Sequence, residues 1–281
     1  MLAVGPPGGP LRARGRPRTA LRSTLVALVS TVVVFGILVW ITVNAPGWAE
    51  VQVSFFNATV FTNAFPDIVA AFWLNIQLFA IAEVLILVLA LVLAVFRSLP
   101  GPVFFPLRFL ATIYADIFRA VPGVLVIYIL GFGIPGLGLP GIPTDPFPYA
   151  VIALTLIYSA YVSEVYRAGI ESVHPSQEAA ARSLGLSRLQ ALRYVILPQA
   201  VRRVIPPLLN DFIGLQKDTV LVSYIGVVEI FRQSQITQQA KFNYTPYMAT
   251  ALVFIAVTIP LARLTDILVS RDRRRAAASA R

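Results

Sequence analysis

The sequence contains no cysteine and a single histidine, His174. Disulfides, thiolate metal sites and cysteine nucleophiles are therefore excluded, and the redox compartment cannot be read from the chain. Charge is also scarce: Asp, Glu, Lys and Arg make up 13% of residues, against about 25% in an ordinary soluble domain. Acids are the scarcer sign, 13 against 23 basic residues. The only lysines are Lys217 and Lys241, and neither stands in a Gly-x-x-x-x-Gly-Lys-Ser/Thr pattern, so that nucleotide-binding loop is absent. His-Glu-x-x-His and Gly-x-Ser-x-Gly are missing too, which argues against a membrane-embedded hydrolase. No convincing internal repeat is visible, which weakens a fold built from duplicated halves.

What is present is apolar. Hydrophobic residues make up 57% of the chain and the mean hydropathy is +0.77. A bilayer core of about 30 Å needs about 20 apolar helical residues. Six stretches approach that length: Thr24 to Val43, Phe72 to Phe96, Phe109 to Leu130, Tyr149 to Ile170, Ile205 to Val228 and Tyr247 to Val269. The expected fold is all-α, a polytopic transmembrane helical bundle of about six spans. The first run exceeds the core of a cleaved signal peptide, about 7 to 15 residues, and reads as a retained span.

The net charge of +10 invites a nucleic-acid reading, but the arginines gather between and beyond the apolar runs, as orientation signals do. No nucleic-acid partner is expected. Arg97 and Arg108, then Arg182, Arg188, Arg193, Arg202 and Arg203, and finally Arg271, Arg273, Arg274, Arg275 and Arg281 fall in segments that share one side. The alternate loops, near residues 45–70 and 131–148, have neither Lys nor Arg, and that near 229–246 has only Arg232 and Lys241. The positive-inside rule then places both termini in the cytoplasm. The organisation expected is a disordered basic tail at 1–23, an extra N-terminal span with an extracytoplasmic segment at 24–67, a transmembrane domain at 68–270 and a second basic tail at 271–281. Trp48, Phe55, Phe56, Phe61 and Phe65, between Ala45 and Pro66, suit a membrane interface. The Gly- and Pro-dense run from Gly131 to Pro148 cannot form a regular helix.

The longest Arg-rich connection, about residues 171–204, reads as two short helices with a break. Pro175 fits a first helical turn, Glu178 complements the positive helix start, and Ala179, Ala180 and Ala181 favour helix. Gly185 supplies a left-handed stop, Ser187 and Gln190 form a capping-box pattern, and Pro198 interrupts the helix that follows. From physics alone this is either a plain surface connection or a rod inserted into another protein.

Inside the apolar runs stand Glu83, the pairs Asp116 with Arg119 and Glu164 with Arg167, each three residues apart on one helix face, and Lys217 with Asp218. A charge at mid-bilayer costs about 2.5–3.5 kcal/mol on insertion scales, so such residues face a partner or a watery cavity. They either hold helices together or line a path for a solute, and Asn75, Gln77, Asn210 and Asp211 are further polar candidates. His174, beside Pro175, reads as a loop residue.

The run Ser176-Gln177-Glu178-Ala179-Ala180-Ala181-Arg182-Ser183-Leu184-Gly185-Leu186-Ser187, with Ile196-Leu197-Pro198-Gln199-Ala200, resembles the EAA loop of ABC importer permeases, in particular the polar amino acid uptake family. Tyr114 to Pro122, Ala160 to Ile170 and Lys217-Asp218-Thr219-Val220-Leu221 are similar to three further segments of that family, in the same order. The likeness covers about residues 68–270. It departs at Ala179, where the family has glutamate, with Glu178 one place earlier and so turned about 100° around the helix. Ser176 and Val220 also replace family residues.

The resemblance implies a type I importer permease fold in the bacterial plasma (inner) membrane. It implies that Gln177, Glu178, Ala179, Ala180, Ala181, Gly185, Leu186 and Pro198 form the ATPase-coupling loop, and that Glu83, Asp116, Arg119, Glu164, Lys217 and Asp218 are candidates for the substrate path. Implied partners are two cytoplasmic ATPase subunits that bind ATP and Mg, a second permease subunit, identical or homologous, and an extracytoplasmic binding protein. No cofactor or metal is expected on this chain, and no catalytic residue. The implied activity is ATP-driven import of amino acids, polar ones such as glutamine and glutamate or basic ones. An ion-gradient-driven secondary transporter or channel using Glu83, Asp116 or Glu164 is the alternative.

Overall fold

The structure is a computed structural model that describes residues 17–279. Most of the tail expected at 1–23 therefore lies outside the described residues. The chain divides into two compact units between Ser54 and Phe55. The first holds α1 (Pro17–Val43) and nearly all of α2 (Trp48–Phe55). Helix α1 begins seven residues before the apolar run at Thr24, so Pro17 to Ser23 continue it. Its apolar side chains point in every direction, as in a helix surrounded by lipid.

The second unit begins with α3 (Ala58–Ser98), 41 residues or about 60 Å of helix. Asn57 caps it, its Oδ1 accepting from Val60 N at 3.1 Å. The helix starts well before Phe72 because Pro66 is accommodated inside it. Phe61 and Phe65 stack on each other at 5.0 Å and pack against Ala64, Ile68, Ile230 and Ala249. Buried positions Ile68, Asn75, Leu78, Ala82, Ile86, Ala90 and Leu93 recur every three, four or seven residues, which makes a single stripe.

That stripe packs on α7 (Pro146–Glu171), the most buried long helix, which also receives α4 (Phe105–Ala120) and α10 (Leu197–Asp218). Small residues on the contact faces, among them Ala82, Ala90, Ala153, Ser159, Ala160 and Ser163, let the helices approach closely. At Gly169 α7 meets α10 so tightly that a β-carbon would collide with Val204 Cγ1 and lie 3.4 Å from the Ala200 carbonyl oxygen.

The run expected as one span from Phe109 to Leu130 is broken. A bend of 104° separates α4 from α5 (Gly123–Tyr128), a π-helical turn over Ile129–Gly133 and α6 (Ile134–Gly136). Pro122 causes it: its ring removes an N–H and drives Val121 into extended backbone, φ −81° and ψ 130°. Regular helix ends there, and the Gly- and Pro-dense stretch from Leu137 to Asp145 is irregular.

The connection after α7 folds into α8 (Pro175–Ser183), α9 (Arg188–Ala191) and a π-turn, Leu192–Ile196, leading into α10. Beyond α10 a 3₁₀ turn, Thr219–Ile225, stops at Gly226 with φ +92°. Helices α11 (Ile230–Lys241) and α12 (Thr245–Ser279) complete the unit, α12 continuing through much of the expected C-terminal tail. Among the described residues four segments are long and apolar enough to cross a membrane: 22–43, 48–98, 146–171 and 245–271; the bent pair α4 with α5–α6 supplies a fifth. The expected span from Ile205 to Val228 corresponds to the end of α10 and the 3₁₀ turn after it; the 22 residues of α10 include Arg202, Arg203, Asp211, Lys217 and Asp218, and the helix is not among those apolar enough to cross.

Candidate functional site

The connection between α7 and α10 is a short, doubly capped scaffold. His174 Nδ1 accepts from Ser176 N at 3.2 Å, which closes the start of α8. At its end Gly185 takes φ +86°, and Leu186 N donates to the Ala181 carbonyl at 3.2 Å. Ser187 and Gln190 form the reciprocal capping box, Gln190 Oε1 accepting from Ser187 N at 2.8 Å and Ser187 Oγ from Gln190 N at 3.3 Å.

Ala181 faces inward and is buried, while Gln177, Ala179 and Ala180 are exposed and Glu178 and Leu186 are half-buried. Leu184 and Leu189, 84% and 73% exposed, form an apolar tip that none of the described residues covers. Pro198 sits in the first turn of α10, directly after the π-turn. Gln199 Nε2 reaches Gln177 Oε1 at 3.5 Å, holding the start of α10 beside α8.

Above the root of this connection lies an ion-pair knot centred on Glu164 of α7. Its Oε1 receives Arg97 Nη1 from the end of α3 at 2.6 Å and Arg119 Nη1 from the end of α4 at 3.2 Å. Its Oε2 receives Arg167 Nη2 at 2.8 Å, and Arg167 also pairs with Glu171 at 2.6 Å. The Glu164–Arg167 pair forms as its spacing suggests. Asp116 and Arg119 do not pair: Arg119 turns to Glu164, whose carboxylate is 17% exposed and thus better shielded from water, and Asp116 stays exposed.

A second acidic group has the opposite character. Glu83 on α3 and Asp211 on α10 are close enough for their charges to repel. Asp218, seven residues beyond Asp211, accepts a hydrogen bond at 2.7 Å from the Tyr158 hydroxyl of α7. Tyr166 lies near Glu83, and Tyr158 near Asp211 and Tyr161. Phe79 and Phe212 meet edge to face at 4.5 Å, between this seam and the next polar layer. Among the described residues no Arg or Lys forms an ion pair with Glu83, Asp211 or Asp218, and Asp211 Oδ2 is buried without a hydrogen-bond partner. Lys217, next to Asp218 in the chain, forms no ion pair with it among the described residues and lines a cleft of about 370 Å³ together with Val220, Phe231, Tyr247 and Phe254.

The next layer contains a residue the sequence did not single out. Glu229, fully buried, caps α11 by accepting from Phe231 N at 3.0 Å and Arg232 N at 2.8 Å. Asn75 Nδ2 donates to Glu229 Oε2 at 2.9 Å and to Thr219 Oγ1 at 3.0 Å, and Asn75 Oδ1 accepts from Ile230 N at 3.1 Å. Each carboxylate oxygen thus has donors, which makes burial of the charge tolerable. The available signal was an acid directly ahead of a polar, amphipathic run. Glutamate is an uncommon cap, so the pattern did not stand out. Among the described residues no group of three or more His, Asp or Glu is arranged to hold a metal ion.

Comparison with known proteins identifies the family. It is 37% identical over 175 residues to the probable glutamine ABC transporter permease protein GlnM of Bacillus subtilis, covering 62% of this chain and 78% of that protein. It is 35% identical over 215 residues to the glutamate transport system permease protein GluC of Corynebacterium efficiens, covering 73% and 93%. The crystal structure of an amino acid ABC transporter with histidines matches with a TM-score of 0.69 at 31% identity, over 77% of this chain and 98% of that one. A model of the binding-protein-dependent transport system inner membrane component matches residues 86–274, about two thirds of the chain, and the chain belongs to that family.

Proposed function

We propose that this chain is the permease subunit of an ATP-driven, binding-protein-dependent amino acid importer. The observation that carries the reading is the capped connection between α7 and α10, whose bare Leu184–Leu189 tip stands beside the left-handed Gly185. A rigid, exposed apolar knob joined to two packed helices suits a separate motor subunit, and the sequence itself has no phosphate-binding loop. Two ATPase subunits, which hold ATP and Mg, would engage the tip. A second permease, identical or homologous, and an extracytoplasmic binding protein complete the assembly. Both termini and the tip face the cytoplasm, residues 68–270 form the transport core, and 24–67 add a further span.

The acidic seam bears on the substrate. Three carboxylates without an ion-pair partner among the described residues repel an anionic solute and favour one carrying an extra positive charge, so a basic amino acid fits better than glutamate. Alternating access would expose the seam to one side and then the other as the ATPases close and reset.

The test is uptake in vesicles containing permease, ATPase and binding protein. Gly185→Val forces a β-branched residue to φ +86°, which reshapes the tip at a position where an added β-carbon meets no neighbour within 4 Å. Uptake should fall at least tenfold, with ATP hydrolysis no longer responding to the binding protein. Full transport by this variant rejects the coupling role. Uptake by the chain alone, driven by an ion gradient, supports the secondary-transporter alternative instead.

A further inference from the structure

Tyr158 lies on the central helix, yet its hydroxyl is spent on a single carboxylate oxygen, Asp218 Oδ2, at 2.7 Å. It reaches that oxygen past Gly214, four residues before Asp218 and three after Asp211 on the same helix. A β-carbon at 214 would stand 3.3 Å from the Tyr158 hydroxyl, tighter than ordinary van der Waals contact. The missing side chain therefore leaves the space through which the phenol passes between the two acids. Asp211 contributes an oxygen shielded from water and without a donor.

A carboxylate held at one oxygen has its rotation restricted, so its other oxygen is biased toward fewer directions. Charge-assisted hydrogen bonds of this kind are short and strong. We infer that Tyr158, with the notch at Gly214, is a positioning residue that orients Asp218, about two helical turns from Asp211, and thereby determines how well the permease distinguishes a positively charged amino acid from a neutral one of the same shape. The inference rests on the cationic preference proposed above. The competing role for Tyr158 is a simple staple between α7 and α10.

Arginine and citrulline separate these roles, because they are nearly isosteric and differ in side-chain charge. The assay is competition by each compound for labelled arginine on the purified permease–ATPase complex without binding protein, so that discrimination by the binding protein does not enter. The unaltered complex should prefer arginine at least tenfold. Tyr158→Phe should reduce that preference by about tenfold, the effect of losing one hydrogen bond to a charged group. Gly214→Ala, which crowds the hydroxyl without removing it, should reduce it by about threefold. The double variant should lose no more than Tyr158→Phe alone, since both changes act on the same bond.

Equal weakening of both ligands with an unchanged ratio would show a staple and overturn the inference. Gly214→Ala separates the two roles in the same way if Tyr158→Phe assembles poorly. An unaltered complex that binds citrulline as well as arginine would instead overturn the charge preference in the proposed function, and the role of Tyr158 would fall with it.

Discussion

Glu164 and Asp211 are both acids on helices of the same bundle, but among the described residues one pairs with three arginines and the other with none. The first draws the ends of α3 and α4 onto α7 and is satisfied at both oxygens. The second lies within electrostatic reach of another acid, Glu83, and keeps a shielded oxygen without a donor. Acids with partners hold helices together, whereas acids without an ion-pair partner cost stability, and inside an apolar span such a charge faces a partner or a watery cavity.

The largest effect expected from this contrast is on Glu164→Gln, which leaves three guanidinium groups around a neutral amide. Removing one partner of a buried pair costs about 3–5 kcal/mol, reduced here to about 2–3 because Arg119 and Arg167 are partly exposed. Thermal unfolding of the detergent-purified protein should show it as a clear fall in Tm, and an unchanged Tm would remove the distinction between the two groups. Asp211→Asn should do the reverse, leaving Tm unchanged or slightly raised by relief of repulsion with Glu83, while uptake of arginine falls at least tenfold. Arg119→Gln, removing the longest of the three contacts to Glu164, should cost about 1 kcal/mol or less by the same measurement. Asp116→Asn should stay within about 0.5 kcal/mol and leave uptake intact, since that carboxylate is exposed and forms no ion pair among the described residues.

Much of the helical bundle was legible because lipid-spanning helices announce themselves by length and hydropathy. The start of α3 was not, since Pro66 reads as a helix breaker in sequence yet sits inside a helix whose neighbouring turns pack on α11 and α12. The bend after α4 was hidden for the opposite reason: apolar residues on both sides of Pro122 looked like one span. Caps in the α7–α10 connection were readable because their chemistry is local, Ser187 with Gln190 and the glycine at 185. Partners of the charged residues were not. Spacing made Asp116 and Arg119 neighbours, but the pairing was decided by Glu164, 45 residues away along the chain and better shielded from water. Glu229 escaped notice because its donors come from α3 and from the first turn of α11, which no local pattern joins.

The glycine at 169 has a mechanical consequence. Because its backbone presses on Val204 with no side chain between, α7 and α10 share a contact with no slack, next to the root of the connection that joins them. In the coupling role proposed above, sideways force on the leucine tip would meet that close contact before reaching the rest of α10. That point would then serve as a fulcrum, with Asp211 and Asp218 on the far arm of α10.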